Sequence, residues 1–357
     1  MLCAFMDIET KLDIIKSQPF EEAITEAELC SLLETKAHPK HYIGIEISGV
    51  PHIGHLLFMG KKTNDFASVG IETQVYLADW HTMANNKFGG DWNRILKAAE
   101  FYKKMFGLFC PKTKIVLGSE LYHNNDDYWK MIIQFARRTT IARATRTLMI
   151  MGRSEKDTLH VSQYIYPMMQ AADIEALGAD IPHAGMDQRR VHVLAKELFH
   201  DLKMRTIVPI HHHLMPGLGE PPKMVEGPKE EAVAAMKMSK SKPGSAITVL
   251  ATDAEITKAI RGAWCPEKVV EENPVLLLCK YVLMPINKKF DVDRKKEYGG
   301  DVEFTSYEEL EKTYAAGKLH PVDLKAAAAK SLISILAPVR DKFTAKDVEV
   351  FKEAGLI

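Results

Sequence analysis

Cysteine is sparse and scattered in this chain. The five residues Cys3, Cys30, Cys110, Cys265 and Cys279 form no C-x-x-C pair. That argues against a structural zinc site and points to reduced thiols in a cytoplasmic protein. No run approaches the roughly 18 apolar residues that a membrane span needs, so no membrane role is expected. The N-terminus, MLCAFMDIETKLDIIKS, has acidic residues early and lacks the layout of a secretory signal. Neither sign of charge is in excess, with 47 Lys+Arg against 47 Asp+Glu. A nucleic-acid contact would therefore have to be a local patch. Internal repeats and low-complexity tracts are missing too. What is present, 46% hydrophobic and 26% charged residues over 357 positions, is the composition of a globular protein long enough for two domains.

The order of elements predicts an α/β fold. Residues 11–36 read as N-terminal helices, 42–47 as a strand, 48–51 as a turn and 53–69 as a helix stopped by Gly70. A strand at 73–79, a helix at 92–109 and a strand at 114–118 follow, then a long helical stretch over 126–152. Pro167 is expected to open a helix that Gly178 closes, ahead of a strand at 179–184, a helix at 187–199 and a strand at 205–210. This alternation implies a Rossmann-like parallel sheet with crossover helices. The segment 216–246 is rich in Pro, Gly, Lys and Glu and reads as a loop. From about 252 the pattern is helical except for a loop at 284–304, which divides the chain into a catalytic domain, 1–250, and an all-helical domain, 251–357.

Two strings carry most of the chemistry. His52-Ile53-Gly54-His55 lies where the first core strand turns into a helix, and Lys237-Met238-Ser239-Lys240-Ser241 lies on the later loop. In an open parallel sheet, ligands bind beyond the carboxyl ends of strands, at helix N-termini. His52 and His55, three residues apart on one turn, can both face a triphosphate. Gly54 and Gly44 leave room for a nucleotide to approach the backbone. Lys237 and Lys240 suit charge that needs neutralising only in the transition state. Two histidines and two lysines on one triphosphate are what adenylate-forming chemistry requires. Taken alone, the histidines could be surface residues and the lysine-serine string a solvated loop; together they speak against that.

The segment from Tyr166 to Asp173, Y-P-M-M-Q-A-A-D, bears on substrate. Helix spacing puts Gln170 and Asp173 on one face with Tyr166 at its entry. Buried polar groups on so apolar a helix need partners. Spacing alone leaves a solvent face or a structural hydrogen bond open.

These motifs resemble class I aminoacyl-tRNA synthetases, and over nearly the whole chain the resemblance narrows to the archaeal and eukaryotic tyrosyl-tRNA synthetases. The pattern Y-P-x-x-Q-x-x-D matches at Tyr166, Gln170 and Asp173. Y-I-G-I-E-I-S-G from Tyr42 is similar to the family's Y-I-G-F-E-P-S-G, with Ile47 in place of proline. A-D-W-H from Ala78 resembles the family's A-D-x-H beside the amino-acid pocket, and G-M-D-Q-R from Gly185 its G-x-[DE]-Q-R. The resemblance implies ATP and Mg²⁺ as reactants, an aminoacyl-adenylate intermediate and transfer to the terminal adenosine of tRNA(Tyr). It implies that Tyr166, Gln170 and Gln188 hold the ammonium group of L-tyrosine, that Asp173 and Tyr42 hold its phenol, and that Asp187 meets the ribose. With the lysine string it places Lys237, Ser239 and Lys240, beside Gly44 and Gly54, at the ATP. A homodimer is implied as well.

For the RNA, Arg143, Arg146 and Arg153 are expected on one face of the 126–152 helix and, with Arg137, Arg138, Arg189 and Arg190, in a local basic patch, though a solvated cationic face would also account for them. The resemblance assigns Arg146 and Arg189 to the first acceptor-stem pair. K-E-Y-G-G-D at 296–301 and H-P-V-D-L at 320–324 look like the family's K-F-G-G-D and H-P-x-D-L. They imply that Tyr298 stacks on the first anticodon base and Asp323 accepts its hydrogen bonds; alone, Tyr298 beside two glycines would be an ordinary turn. The stretch 220–236 is extra length ahead of the lysine string. His211-His212-His213 is not taken as a metal site, because consecutive residues at a strand end cannot all face one ion. Rival readings are a tryptophanyl enzyme, which would need an indole pocket, a nucleotidylyltransferase, which would lack the lysine string, and a catalytically silent tRNA-binding paralogue.

Overall fold

The strand expected at 42–47 runs Lys40–Ile45 (β2) and lies inside a six-stranded sheet. The computed structural model describes residues 6–148, 160–221 and 246–356. Apart from half-buried Lys40 and exposed Gly44, β2 is buried on both faces, as a parallel strand covered by helices requires. β3 (Glu72–Leu77) pairs with it in parallel, Lys40 opposite Glu72 and Ile45 opposite Leu77. β4 (Lys114–Leu117) continues that side. On the other side lie β5 (Ile181–Gly185) and β6 (Ile210–His212), both parallel. With β1 (Phe20–Ala23) antiparallel at the edge, the strand order is β1-β6-β5-β2-β3-β4. The direction of chain progression reverses between β2 and β5. A crevice opens there, beyond their carboxyl ends.

The helices follow the expected alternation with four physical differences. The N-terminal segment is helix (α1, Ile8–Ile15), strand β1 and helix (α2, Glu26–Thr35). The strand was hidden because β1 is only four residues long and pairs with the distant β6. The helix after β2 begins as a π-turn, His55–Gly60, before becoming regular (α3, Lys61–Ser68). The stretch 126–152 is not one helix. Past the short helices α4 (Asp79–Ala84) and the long α5 (Trp92–Phe109), the chain forms α6 (Gly118–Tyr122) and α7 (Asp126–Arg138). It then breaks, and Thr140 caps a new short helix, α8 (Ile141–Thr145), by accepting from the Arg143 N–H. Arg143 and Arg146 therefore do not share a long helical face, and Arg153 lies outside the described residues. Pro167 does not open its helix. It sits inside α9 (Val161–Ala176), whose start is capped by Gln163 bonding back to the His160 N–H. Burial of Tyr166, Met168, Met169, Ala171 and Ala172 along α9 outweighs the backbone hydrogen bond lost at the proline.

Downstream, α10 (Arg189–Asp201) matches the expected helix. The strand expected at 205–210 starts only at Ile210, since Pro209 has no N–H to give a ladder. The C-terminal region is helical, and its 284–304 segment holds a short hairpin, Phe290–Val292 paired with Val302–Phe304. Helix Asp253–Gly262 packs on the long helix Pro321–Arg340. One buried apolar cluster runs from Ile43 in β2 through Phe106 in α5 to Leu336 and Phe351.

That continuity has a measurable consequence. Leu336 is fully buried in the shared cluster, so Leu336→Ala should cost about 2–5 kcal/mol. Far-UV circular dichroism in urea should show one shifted transition for the whole chain. Separate transitions, with only the C-terminal one moved, would mean that the cluster does not couple the two regions.

Candidate active site

The crevice at the strand-order reversal collects most of the residues the sequence singles out. Asp173 projects from α9 and is 1% exposed. Its Oδ1 accepts from the Tyr122 hydroxyl at 3.0 Å and the Tyr128 hydroxyl at 2.8 Å, and Tyr122 in turn is bonded to the Tyr76 hydroxyl. The Asp173 Oδ2 has no hydrogen-bond partner among the described residues, nor has either ring nitrogen of buried His81. His81 Nε2 stands 3.5 Å from that oxygen. Burial pushes the Asp173 carboxyl up to about 7, against the hydrogen bonds of Tyr128, Tyr122 and Tyr76. Burial alone holds the His81 imidazole neutral, down at about 3. A dry carboxylate oxygen beside a neutral imidazole suits a neutral O–H donor. Tyr42 is buried close by, its ring edge-on to Tyr76 at 6.3 Å, and the Asp173 charge acts on it.

A second polar cluster lies one to two helical turns back along α9, at Gln170 and Tyr166. Tyr166 donates to Glu46 Oε2 at 3.3 Å, and Gln170 Nε2 donates to Gln188 Oε1 at 3.2 Å. Glu46 also accepts from Asn85 at 2.8 Å and has the Lys87 ammonium at 3.5 Å. Burial raises its carboxyl above the ordinary range, with Lys87 opposing. This group is where a cationic ammonium would be stabilised. Glu46 was not among the residues expected in the site, nor were Tyr76, Tyr122 and Tyr128. A glutamate at the carboxyl end of an otherwise apolar strand was the available signal for Glu46. The hydroxyls that hold Asp173 come from three elements, and no local pattern joins them.

The histidine string sits at the start of the next helix. The His52 N–H donates to His55 Nδ1 at 3.2 Å, and the Gly54 N–H to His52 Nδ1 at 3.1 Å. With both Nδ1 atoms accepting, each ring carries its proton on Nε2, the tautomer that can donate to a phosphate oxygen. Gly54 is required here, since a Cβ would stand 2.8 Å from His52 Cε1. Gly44, the exposed residue of β2, keeps the strand surface open. Asp187 lies in the turn Met186–Gln188 after β5, at the other wall of the crevice. Lys237, Ser239 and Lys240 lie outside the described residues, as does most of 220–236. The chain that follows them pairs with the histidine string: Ile53 donates to the Ile247 carbonyl, Val249 to that of Pro51, and His52 bridges Thr248.

The expected RNA-facing residues divide into two places. Arg146 is exposed at the end of α8, and its carbonyl accepts from Arg190. Arg189 is half-buried and donates to Glu22 Oε1 at 2.7 Å, an oxygen that His211 also contacts. Far from these, Tyr298 is 64% exposed in a turn closed by Gly299 at φ +99°. Arg294 ties that turn to the segment before Asp323, donating to the carbonyls of Gly300 and Lys318 at 3.0 Å each. The three consecutive histidines diverge: His211 meets His192 and Glu22, His212 meets His183, and His213 meets Glu21.

Comparison with known proteins bears on this geometry. Residues 34–337 match the family described as tRNA synthetases class I (W and Y). The tyrosine–tRNA ligase of Thermococcus sibiricus is 43% identical over 95% of this chain and 96% of its own length. The tyrosyl-tRNA synthetase of Pyrococcus horikoshii, solved with L-tyrosine, superposes with a TM-score of 0.90 at 40% identity, covering 98% of this chain and 100% of that one. The tryptophanyl-tRNA synthetase of Plasmodium falciparum superposes at 0.68 with 15% identity, a likeness of fold alone.

The Asp173 shift gives stability a pH signature. A carboxyl raised from about 3.9 in the unfolded chain to about 7 in the folded one keeps its proton where the unfolded chain has released it. Its contribution is full below about pH 4 and is lost as pH rises towards about 7. Asp173→Asn, which cannot ionise, should gain stability relative to the parent between about pH 5 and pH 8 in urea denaturation. An unchanging difference would show the carboxyl to be unshifted.

Proposed function

Since the chain belongs to the class I tRNA synthetase family of the tryptophan and tyrosine type, we infer that it is a tyrosine–tRNA ligase. It joins L-tyrosine to ATP, releasing pyrophosphate, and passes the tyrosyl group from the adenylate to the terminal adenosine of tRNA(Tyr). The observation that carries the choice of substrate is the buried Asp173 Oδ2, without a partner among the described residues and facing His81. A phenol satisfies that oxygen; the ring of phenylalanine would leave it unpaired in a dry pocket. For enzymes of this type the established rejection of phenylalanine is about 10⁵-fold without editing.

Residue roles follow. Asp173, held by Tyr122 and Tyr128, accepts from the phenol, with Tyr42 beside it. Glu46, Tyr166, Gln170 and Gln188 take the ammonium group, leaving the carboxylate free to attack the α-phosphate. His52 and His55 donate from Nε2 to the phosphates, Gly44 and Gly54 admit the nucleotide, and Asp187 binds the ribose. Lys237, Ser239 and Lys240 close on the triphosphate from the segment tethered to His52 through 247–249. Catalysis is positioning and electrostatic stabilisation; no side chain forms a covalent bond with substrate. Mg²⁺ would enter with ATP and supply neutralisation of the triphosphate charge.

Arg146 and Arg189 face the acceptor stem, and Tyr298 and Asp323 the first anticodon base. The chain divides near 250 into catalytic and anticodon-binding parts, and it works in the cytoplasm. It is a homodimer through an apolar face on three packed helices: Ile133 on α7, Ile141 on α8, and Val161 and Ile165 on α9 are 61%, 76%, 76% and 41% exposed. A second copy of the same face would cover them.

ATP–pyrophosphate exchange with each of the twenty amino acids should respond to tyrosine, and Asp173→Ala should lower that response by at least about 100-fold. Exchange driven by tryptophan instead, or undiminished in Asp173→Ala, overturns the substrate assignment; no exchange at all favours a silent RNA-binding paralogue. Separately, Asp323→Ala should cut kcat/KM for tRNA aminoacylation by about 10- to 100-fold, the worth of a charged hydrogen bond, while leaving exchange intact. Equal loss in both assays would remove Asp323 from the RNA interface.

A further inference from the structure

Five buried histidines stand outside the roles above, and three of them form a chain. His41 Nε2 lies 3.1 Å from His183 Nδ1, and His183 Nε2 lies 2.8 Å from His212 Nδ1. None of the three is more than 2% exposed. They come from β2, β5 and β6, so the chain crosses the middle of the sheet beneath the crevice. His41 is stacked on Phe66 at 4.3 Å, and His212 meets the edge of Phe58 at 6.2 Å, which limits how either ring can turn. Burial holds His41 and His212 neutral, down at about 3, with the Asp187 charge opposing it at His212, and holds His183 well below its ordinary value; the Lys62 charge adds to the effect at all three.

A neutral imidazole has one N–H and one lone pair, so linked rings must all point their protons the same way. Two polarities are possible. In one, the far end of the chain, His41 Nδ1, carries a proton; in the other it carries a lone pair. That nitrogen is buried and has no partner among the described residues. An orphaned buried N–H is the rarer and costlier of the two. His41 therefore donates from Nε2 to His183, and His183 from Nε2 to His212, which leaves the proton of His212 on its Nε2. This nitrogen faces Gly185: a Cβ built there would stand 3.6 Å from His212 Nε2 and 2.8 Å from Asp187 Oδ1.

We propose that His212 is a nucleotide-binding residue, donating from Nε2 beside Asp187 to the ribose side of ATP, and that His183 and His41 are positioning residues that fix its tautomer. The proposal rests on the reading of Asp187 as part of the ATP site. The polarity follows from the buried His41 Nδ1, and the proposal gives its other end, His212 Nε2, a use.

Two measurements test it. In ¹⁵N-histidine-labelled protein, the ring-nitrogen correlations of His212, assigned through His212→Gln, should show the proton on Nε2 in the absence of any substrate. Finding it on Nδ1 overturns the proposal. In tyrosine-driven pyrophosphate exchange, His212→Phe should raise KM for ATP about tenfold, as expected for one lost hydrogen bond, with KM for tyrosine unchanged. His212→Gln, which returns an N–H donor, should recover most of that loss. His183→Phe should disturb the His212 tautomer and raise KM for ATP in the same direction without touching the crevice. Equal rises for ATP and tyrosine in His212→Phe, or no rescue by glutamine, would mean a structural role only and sink the proposal. The ring-nitrogen spectrum needs no turnover. A chain that failed to activate tyrosine would thus refute the ligase reading while still reporting on the histidine chain.

Discussion

A carboxylate carried into a dry interior organises the centre of this protein. Taking one ion out of water costs several kcal/mol even after relaxation. At Asp173 that cost is met on one side only. Tyr122 from α6 and Tyr128 from α7 solvate Oδ1, and Tyr76 from β3 stands behind Tyr122. The other oxygen is left to His81, which is neutral and 3.5 Å away. The asymmetry makes chemical sense for a binding pocket. On the proposed reading, supplying a fourth hydroxyl from the protein would stabilise the free protein and remove the reason to bind a phenol. The half-satisfied carboxylate is a free-energy deficit that a substrate hydroxyl removes and a methyl or hydrogen does not.

Sheet topology then sets the distance between the two halves of the chemistry. β2 ends at Ile45, just before Glu46, and leads to His52; β5 ends at Gly185 and leads to Asp187 and Gln188. The two strands are neighbours in the sheet, so one crevice holds both the α9 groups proposed for the amino acid and the turn residues proposed for the nucleotide. The pairing of 247–249 with 51–53 adds a third arm. It holds 247–249 against the histidine string.

Legibility from sequence was highest where function is written locally. The His52–His55 string, the α9 segment from Tyr166 to Asp173 and the 185–189 run each fix several side chains by spacing, and each falls in the crevice. The K-E-Y-G-G-D and H-P-V-D-L strings can be read from the sequence too, but Arg294, which bonds to the Gly300 and Lys318 carbonyls beside them, belongs to neither. What was not legible depends on distant partners. β1 exists because β6 offers it an edge, and α9 continues through Pro167 because its buried face is large. The hydroxyls around Asp173 meet only after β3, α6 and α7 are folded. The histidine chain is the extreme case: His41, His183 and His212 sit in three separate strands, and no spacing rule connects them.

The charge balance has a local counterpart at the arginine assigned to RNA. Arg189 is already engaged by Glu22, and Glu22 is kept well ionised, first by its hydrogen bond with His211 and then by Arg189 itself. On the proposed reading, a phosphate approaching Arg189 would meet a guanidinium whose Nε is already given to Glu22 and whose charge is partly balanced by that internal anion. The protein's own carboxylate then plays the part that small counterions play at an unpaired arginine. Such a contact contributes little to weak, indiscriminate binding of any polyanion. It favours a partner whose shape delivers several groups at once, and a chain whose basic and acidic residues are equal in number has little long-range field with which to hold anything else.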